Sequence, residues 1–403
     1  MSPLHTLTGR AAVLFAAGAL SATCLAGPVQ GQSASTSDLS RWSAQRVAAT
    51  RGGPVPFGAI PPGSVRFDDD GTVYLLDIQA AQIYLFDAEL NFQGSLGRRG
   101  RGPGEFIQPT LLGVEAGMVA VFDPGTSRVT VFRDGIHSWD VSWQMASRGV
   151  PRRVEVIGGE VVIEVEPFPF PATGSSREAK QRRIVRLHRN GVPVTLMTFP
   201  GALSPDPQPP STARRPVIFA PSLHWTAGPA MTLFTSVSDR YEIQLRDLAG
   251  GGARPFATRQ DVSAAETSEA VRASVREQTL RRFAENRGQP ALSGLNGEVV
   301  RQSVSEMEFA ERLPLTGDLI HGFRDHLLVQ RGIGLVDGDS AGGQPRSLVP
   351  DAWDVFRSDG RYAGRVAFPD GFVPIDGFGD LVVGVREGDL GEVVLELFRI
   401  TES

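Results

Sequence analysis

From about residue 64 to the C-terminus, apolar residues alternate with polar ones in short runs, and few stretches show the three-to-four spacing of a long helix. Two windows carry the alternation most clearly: DGTVYLLDIQAAQIYLFD, from Asp70 to Asp87, and AGMVAVFDPGTSRVTVFRD, from Ala116 to Asp134. They align at an offset of 46 residues, with Asp77 on Asp123, Gln82 on Arg128, Ile83 on Val129 and Phe86 on Phe132. Each reads as strand, turn, strand, the pattern of an antiparallel hairpin. Weaker copies follow: GEVVIEVE with RRIVRLHRNG, AMTLFTSVSDRYEIQLRDLAGG, HLLVQR with WDVFRSDGR, and DLVVGVREGDLGEVVLELFRI.

One such unit cannot cover both of its apolar faces, so six copies predict an all-β closed array, a six-bladed β-propeller over residues 32–403. The last copy ends at Ile400 with only three strands. RWSAQRVAAT, residues 41–50, is expected to supply the fourth and remove two open sheet edges.

Three long segments interrupt the pattern. EPFPFPATGSSREAKQRR, from Glu166, falls between the second and third strands of blade three, and GIGLVDGDSAGGQPRSLVPDA, from Gly332, does the same in blade five. The segment 258–314 joins blades four and five and is expected to be helical. Val271, Val275, Leu280 and Phe283 fall near one helical face, as do Val300, Val304 and Met307, with Pro290 and Gly294 between the two runs. In propeller topology all three map to one face, as a rim cap or a lid.

Composition supports this picture. The 46 glycines and 29 prolines suit many short elements joined by turns. A net charge of −5 lacks the field of a nucleic-acid binder. Residues 1–31, with Arg10 before AAVLFAAGALSATCLAG, read as a signal peptide ending after Ala26 or Gly31, and no later run is long enough to span a membrane. The single cysteine, Cys24, lies inside that leader, behind a Thr23 larger than a lipid-attachment signal normally takes. The expected product is exported, cysteine-free and monomeric.

GRRGRGPGEF, from Gly97 to Phe106, has no Lys and Ser/Thr at the offsets of a phosphate loop and no following helix. It reads as the turn from blade one to blade two, with Phe106 wedged between the sheets. Arg98, Arg99 and Arg101 are not required by such a turn and are candidate binding residues. Asp77 and Asp123 each close a strand before a turn, where a carboxylate accepts backbone N–H bonds.

GSLGRRGRGPGEFIQP followed by VAVFDPGTSRVTVF resembles the NHL-repeat family, and in particular secreted six-bladed propellers of bacteria that carry a Gly-x-Gly-Pro-Gly-Glu-Phe turn after the first blade. The resemblance covers residues 64–135, returns at SDRYEIQLRD and WDVFRSDGRYAGRVAFPDGF, and fails in blade three. It implies the propeller fold. Gluconolactonase-like members hold a divalent cation in the channel, but their ligand set is not reproduced here residue for residue.

Inner strands line the channel, and counting along them places His224 and His321 at similar heights, with Glu155 and Asp376 near that level and Arg66 in blade one. His224 and His321 are candidate binding residues, and the four residues Glu155, His224, His321 and Asp376 are candidate metal ligands. No Gly-x-Ser-x-Gly or His-Glu-x-x-His motif is present, so nucleophilic catalysis has no sequence candidate. The reading is an exported binding or scaffold protein without a cofactor, using the insertion face for a protein or carbohydrate partner. The alternative is a metal-dependent, lactonase-like hydrolase working in the channel.

Overall fold

A computed structural model describes residues 42–50, 64–167, 182–199, 217–250, 252–260, 262–285, 296–337, 352–388 and 392–402. The leader with Cys24, residues 286–295 and most of the two loop insertions lie outside the described residues. Six four-stranded antiparallel sheets follow one another along the chain, each wound from the channel outward. Their inner strands are Val65–Phe67, Leu111–Glu115, Val150–Ile157, Leu223–Gly228, Thr316–Phe323 and Phe372–Phe378.

Each blade has two apolar faces because its strands alternate between them, and each face is covered by a neighbouring blade. The core is accordingly divided among the six seams. Leu76, Ile83 and Phe106 meet Leu112, Val119 and Val121 between blades one and two. Ala120, Val129 and Val131 meet Val154, Val161 and Ile163 at the next seam. Ile157, Val162 and Ile184 then face Trp225 and Leu233, and Phe234, Ile243 and Leu245 face Leu319, Leu327 and Val329. Ile320, Leu328 and Val355 pack on Val382 and Phe398, and Leu381, Val383 and Leu397 return to Val65, Leu75 and Phe86.

The ring is closed by the strand Trp42–Ala49. It lies antiparallel on Val393–Glu402 as the outermost strand of blade six, with Trp42 opposite Glu402 and Ala49 opposite Glu396. Trp42 anchors it: the side chain is 3% exposed, its Nε1–H donates to Ala363 O at 3.1 Å, and its ring lies 5.7 Å from that of Phe323. Arg46 donates to Glu396, which also accepts from Arg386, so the strand's polar side is paired as well.

The two ends of the ring differ. At one end the first-to-second hairpins are short and tied to each other: Asp68 accepts from Gly117 N at 3.0 Å, Glu115 from Gly159 N at 2.8 Å, and Gly379 O from Arg324 N at 2.6 Å. The other end carries the interblade connections and a cap. Val217–Ile218 pairs in parallel with Glu308–Phe309, and Val262–Ala264 pairs antiparallel with Leu335–Asp337. The helix Glu269–Glu285 sets Val271 and Val275 on Leu313, Ile218, Phe309 and Ile333. Its later residues Leu280 and Phe283 turn to a second helix, Gly297–Ser305, and meet Val300, Val304 and Met307. The expected single stripe is therefore two, because at about 100° per residue Leu280 and Phe283 lie roughly 140° and 80° around the helix from Val275.

Replacing Trp42 with Ala removes the largest buried group of the closing strand and should lower stability by about 3–5 kcal/mol. Equilibrium denaturation checks this, and a loss under ~1 kcal/mol would count against a strand that holds the ring shut.

Candidate functional site

The segment Gly97–Phe106 is a turn held by its own carboxylate. Glu105 accepts from Gly102 N at 2.8 Å and from Arg98 Nε at 2.8 Å, and these two partners hold its carboxyl below the usual range. Gly97 has φ +71°, and a Cβ there would lie 2.3 Å from the ring of Phe106, which is fully buried at the seam of blades one and two. Arg128 Nη2 donates to Gly102 O at 3.0 Å and Glu105 O at 2.9 Å, which explains an arginine at the start of the following hairpin strand. Two of the three turn arginines also serve the turn, contrary to the sequence expectation: Arg98 pairs with Glu105, and Arg99 donates to Gln79 O. Arg98 remains 79% exposed and Arg101 is exposed. Asp123 accepts from the backbone N–H groups of Ile107, Gln108, Gly125 and Thr126, and Asp77 from that of Ala80, so both carboxylates are turn fasteners.

Polar side chains gather in the channel. Arg66 of blade one reaches Glu155 of blade three through Nη2–Oε1 at 2.9 Å and Nε–Oε2 at 3.3 Å. Arg153 donates to the same carboxylate at 2.7 Å, stacks 4.8 Å from the ring centre of Trp225 and donates to Trp225 O. Burial pushes the Glu155 carboxyl up, but the two guanidiniums outweigh it and hold it low. Asp376 of blade six accepts from Phe67 N at 2.8 Å and Gly377 N at 2.9 Å. Burial raises its carboxyl to about 6, against the pull of Arg66 and those N–H groups and with a further push from Glu155.

Nearer the cap lies a second group. His224 Nδ1 is 3.0 Å from Asp318 Oδ1, and Nε2 is 2.9 Å from Ser222 Oγ. Asp318 is positioned by its own N–H on Gln330 Oε1 at 3.1 Å. Its side chain is 53% exposed, whereas that of His224 is 13% exposed. The protein around Asp318 pushes its carboxyl up, while the hydrogen bond and charge of His224, with Arg153 beyond, bring it below the usual range.

The proposed metal ligands do not converge. Glu155 is taken by two arginines, Asp376 by two backbone N–H groups, and His224 by Asp318 and Ser222. His321 lies on Phe234, with ring centres 5.0 Å apart, where burial pushes its imidazole down to about 4. Among the described residues no three His, Cys, Asp or Glu side chains come together as a cation would require. The height estimate failed at β-bulges: the ladder register shifts between Thr316 and Leu319, between His321 and Phe323, and between Pro374 and Asp376. Sequence reasoning missed Ser222 and Asp318. The available signal was the two-residue spacing of Ser222 and His224, which places both on one side of an extended chain.

No protein-family model matches the chain, and no curated protein matches it. Among solved structures it is similar to a member of the DUF4221 family from Bacteroides vulgatus, with TM-score 0.53 and 10% identity, over 90% of this chain and 99% of that one. It is also similar to a putative exported protein from Bacteroides fragilis, with TM-score 0.50 and 11% identity, over 90% and 96%. The chain is a six-bladed β-propeller. Regucalcin from Agrobacterium tumefaciens, described as a calcium-binding protein, superposes at TM-score 0.42 with 10% identity over 91% and 97%, a likeness too loose to bear on chemistry. At these identities the comparisons speak to the fold alone.

The two shifted groups predict opposite pH slopes. Native Asp376 binds its proton more tightly than the unfolded chain, so its contribution to stability falls as pH rises from about 4 to about 6. Native His321 resists protonation, so its contribution falls as pH drops from 6.5 towards about 4. Each shift corresponds to roughly 3 kcal/mol across its window. Asp376→Asn should remove the first slope and His321→Gln the second in denaturant titrations over that range. Unchanged slopes would show that these groups are solvated.

Proposed function

We propose that the protein is an exported binding protein that holds a small, hydroxyl-rich ligand, a saccharide, at the capped mouth of its channel. The observation that carries this reading is the half-open carboxylate of Asp318, aligned by His224 and Gln330 on a wall otherwise occupied by paired charges. A carboxylate with unused lone pairs beside an imidazole and a hydroxyl suits sugar hydroxyls, which both donate and accept. The cap supports the reading because it elaborates one end of the ring while the other end has short hairpins.

Export is supported by the leader pattern of residues 1–31, by the absence among the described residues of a helix long and apolar enough to cross a membrane, and by the likeness to a putative exported protein. The NHL-like pattern over residues 64–135, with its turn at Gly97–Phe106, agrees with a secreted propeller. The metal-dependent alternative has no ligand cluster to support it among the described residues. The arginines at the blade-one turn offer a rim for an acidic protein, but two of them are engaged in the turn.

Calorimetry with a panel of neutral mono- and disaccharides tests the reading. At least one should bind, Asp318→Ala should weaken it roughly tenfold or more, on the order of 1.4 kcal/mol, and the triple variant Arg98→Ser, Arg99→Ser, Arg101→Ser should bind as the parent does. The reading is overturned if Asp318→Ala leaves binding unchanged, or if an envelope protein is captured through the three arginines while no saccharide binds.

A further inference from the structure

Ser222 immediately precedes the inner strand Leu223–Gly228 and is fixed by two hydrogen bonds to Ser238, the residue just past the second strand Thr232–Val237. Its N–H donates to Ser238 Oγ at 3.0 Å, and Ser238 N–H donates to Ser222 O at 3.0 Å. Its hydroxyl lies 2.9 Å from His224 Nε2 and 3.3 Å from Ser238 Oγ. An ionised carboxylate can only accept, so the hydrogen between His224 and Asp318 belongs to Nδ1. In the neutral imidazole Nε2 then carries the lone pair, and the Ser222 hydroxyl, which donates to Ser238 Oγ at 3.3 Å, lies close enough at 2.9 Å to turn its hydrogen to Nε2 instead. The order is hydroxyl, Nε2, Nδ1, carboxylate, on three side chains from two neighbouring blades.

We propose that Ser222, His224 and Asp318 act as nucleophile, general base and orienting carboxylate in hydrolysing small carboxylic esters at the channel mouth, with O-acyl groups on hydroxyl-rich ligands as the substrate class. The proposal rests on the reading of that mouth as a small-molecule site and adds a reaction to it. Arrangements of this kind are recognised by geometry and not by position in the chain. That is why no short motif announces this one.

Ser222 Oγ forms a bond to the acyl carbon while His224 Nε2 takes its proton. The ester C–O bond breaks, and the departing alkoxide oxygen receives that proton and leaves as the alcohol. Water then adds to the acyl-enzyme and gives a proton to Nε2. The bond between Ser222 Oγ and the acyl carbon breaks, the proton returns to Oγ, and a carboxylic acid is released. Water is the only co-reactant, and no oxidation state changes. Asp318 is a positioning residue: it holds the tautomer that leaves Nε2 basic and stabilises the imidazolium formed in each half-reaction. Its exposure to the channel and the partial exposure of Ser222 leave room for a substrate from that side.

The test is labelling of the full chain with a small alkyl fluorophosphonate near neutral pH, with the adduct mapped by mass spectrometry. The proposal expects the adduct on Ser222, none at that position in Ser222→Ala, and labelling slower by roughly tenfold or more in His224→Gln. Asp318→Asn should also label more slowly at an unchanged unfolding midpoint, a result that a merely structural role would not give. No adduct on Ser222 in the parent protein, or an equal rate in His224→Gln, overturns the proposal. The probe needs no sugar recognition. Labelling without saccharide binding therefore rejects the ligand reading alone, and saccharide binding without labelling rejects the chemistry alone.

Discussion

The pairing of Trp42–Ala49 with Val393–Glu402 is the contact on which everything else depends. A blade of four twisted strands has two apolar faces and cannot be stable by itself, so six blades must cover one another in a circle. The last blade lacks an outer strand in its own stretch of sequence and takes it from residues some 350 positions earlier, where Arg46 meets Glu396. Closing the circle sets Leu381, Val383 and Leu397 against Val65, Leu75 and Phe86, so the seam between last and first blades is as apolar as the other five. It also brings Asp376 of the last blade to Phe67 of the first, whose N–H offsets part of the upward push that burial gives that carboxyl.

Charges in the interior divide by what surrounds them. Glu155, between Arg66 and Arg153, is a strut across the channel, and removing one partner would leave a buried charge uncompensated. Asp354 plays the same part away from the channel, accepting from Tyr241, Arg259 and Arg331. Glu164 accepts from Trp225 Nε1 and Arg182 at the seam of blades three and four. These carboxylates fasten elements together. Asp318 differs because one side of it meets the channel, and its hydrogen bond leads to an imidazole and then to a hydroxyl. Chemistry is therefore assigned where a charge is oriented but not enclosed.

The blade pattern was legible because alternation with a period of two is written locally in each hairpin, and the 46-residue offset between Asp77 and Asp123 repeats it. The fastening role of Asp123 and the wedge at Phe106 were legible for the same reason, since both act within a few residues of their own turn. Heights across the channel were not, because each bulge adds a residue to one strand and none to its partner. His321 consequently lies on Phe234 and not beside His224. The link from His224 to Asp318 spans two blades and depends on the closed ring, so no local spacing could reveal it.

Ring closure by the N-terminal strand is the central claim, and amide hydrogen exchange tests it most directly. If the account holds, the amides of Val393–Glu402 exchange as slowly as those of the middle strand Leu381–Glu387 and lose protection only with global unfolding. Rapid exchange along Val393–Glu402, with Leu381–Glu387 still protected, would show an open edge there and contradict it.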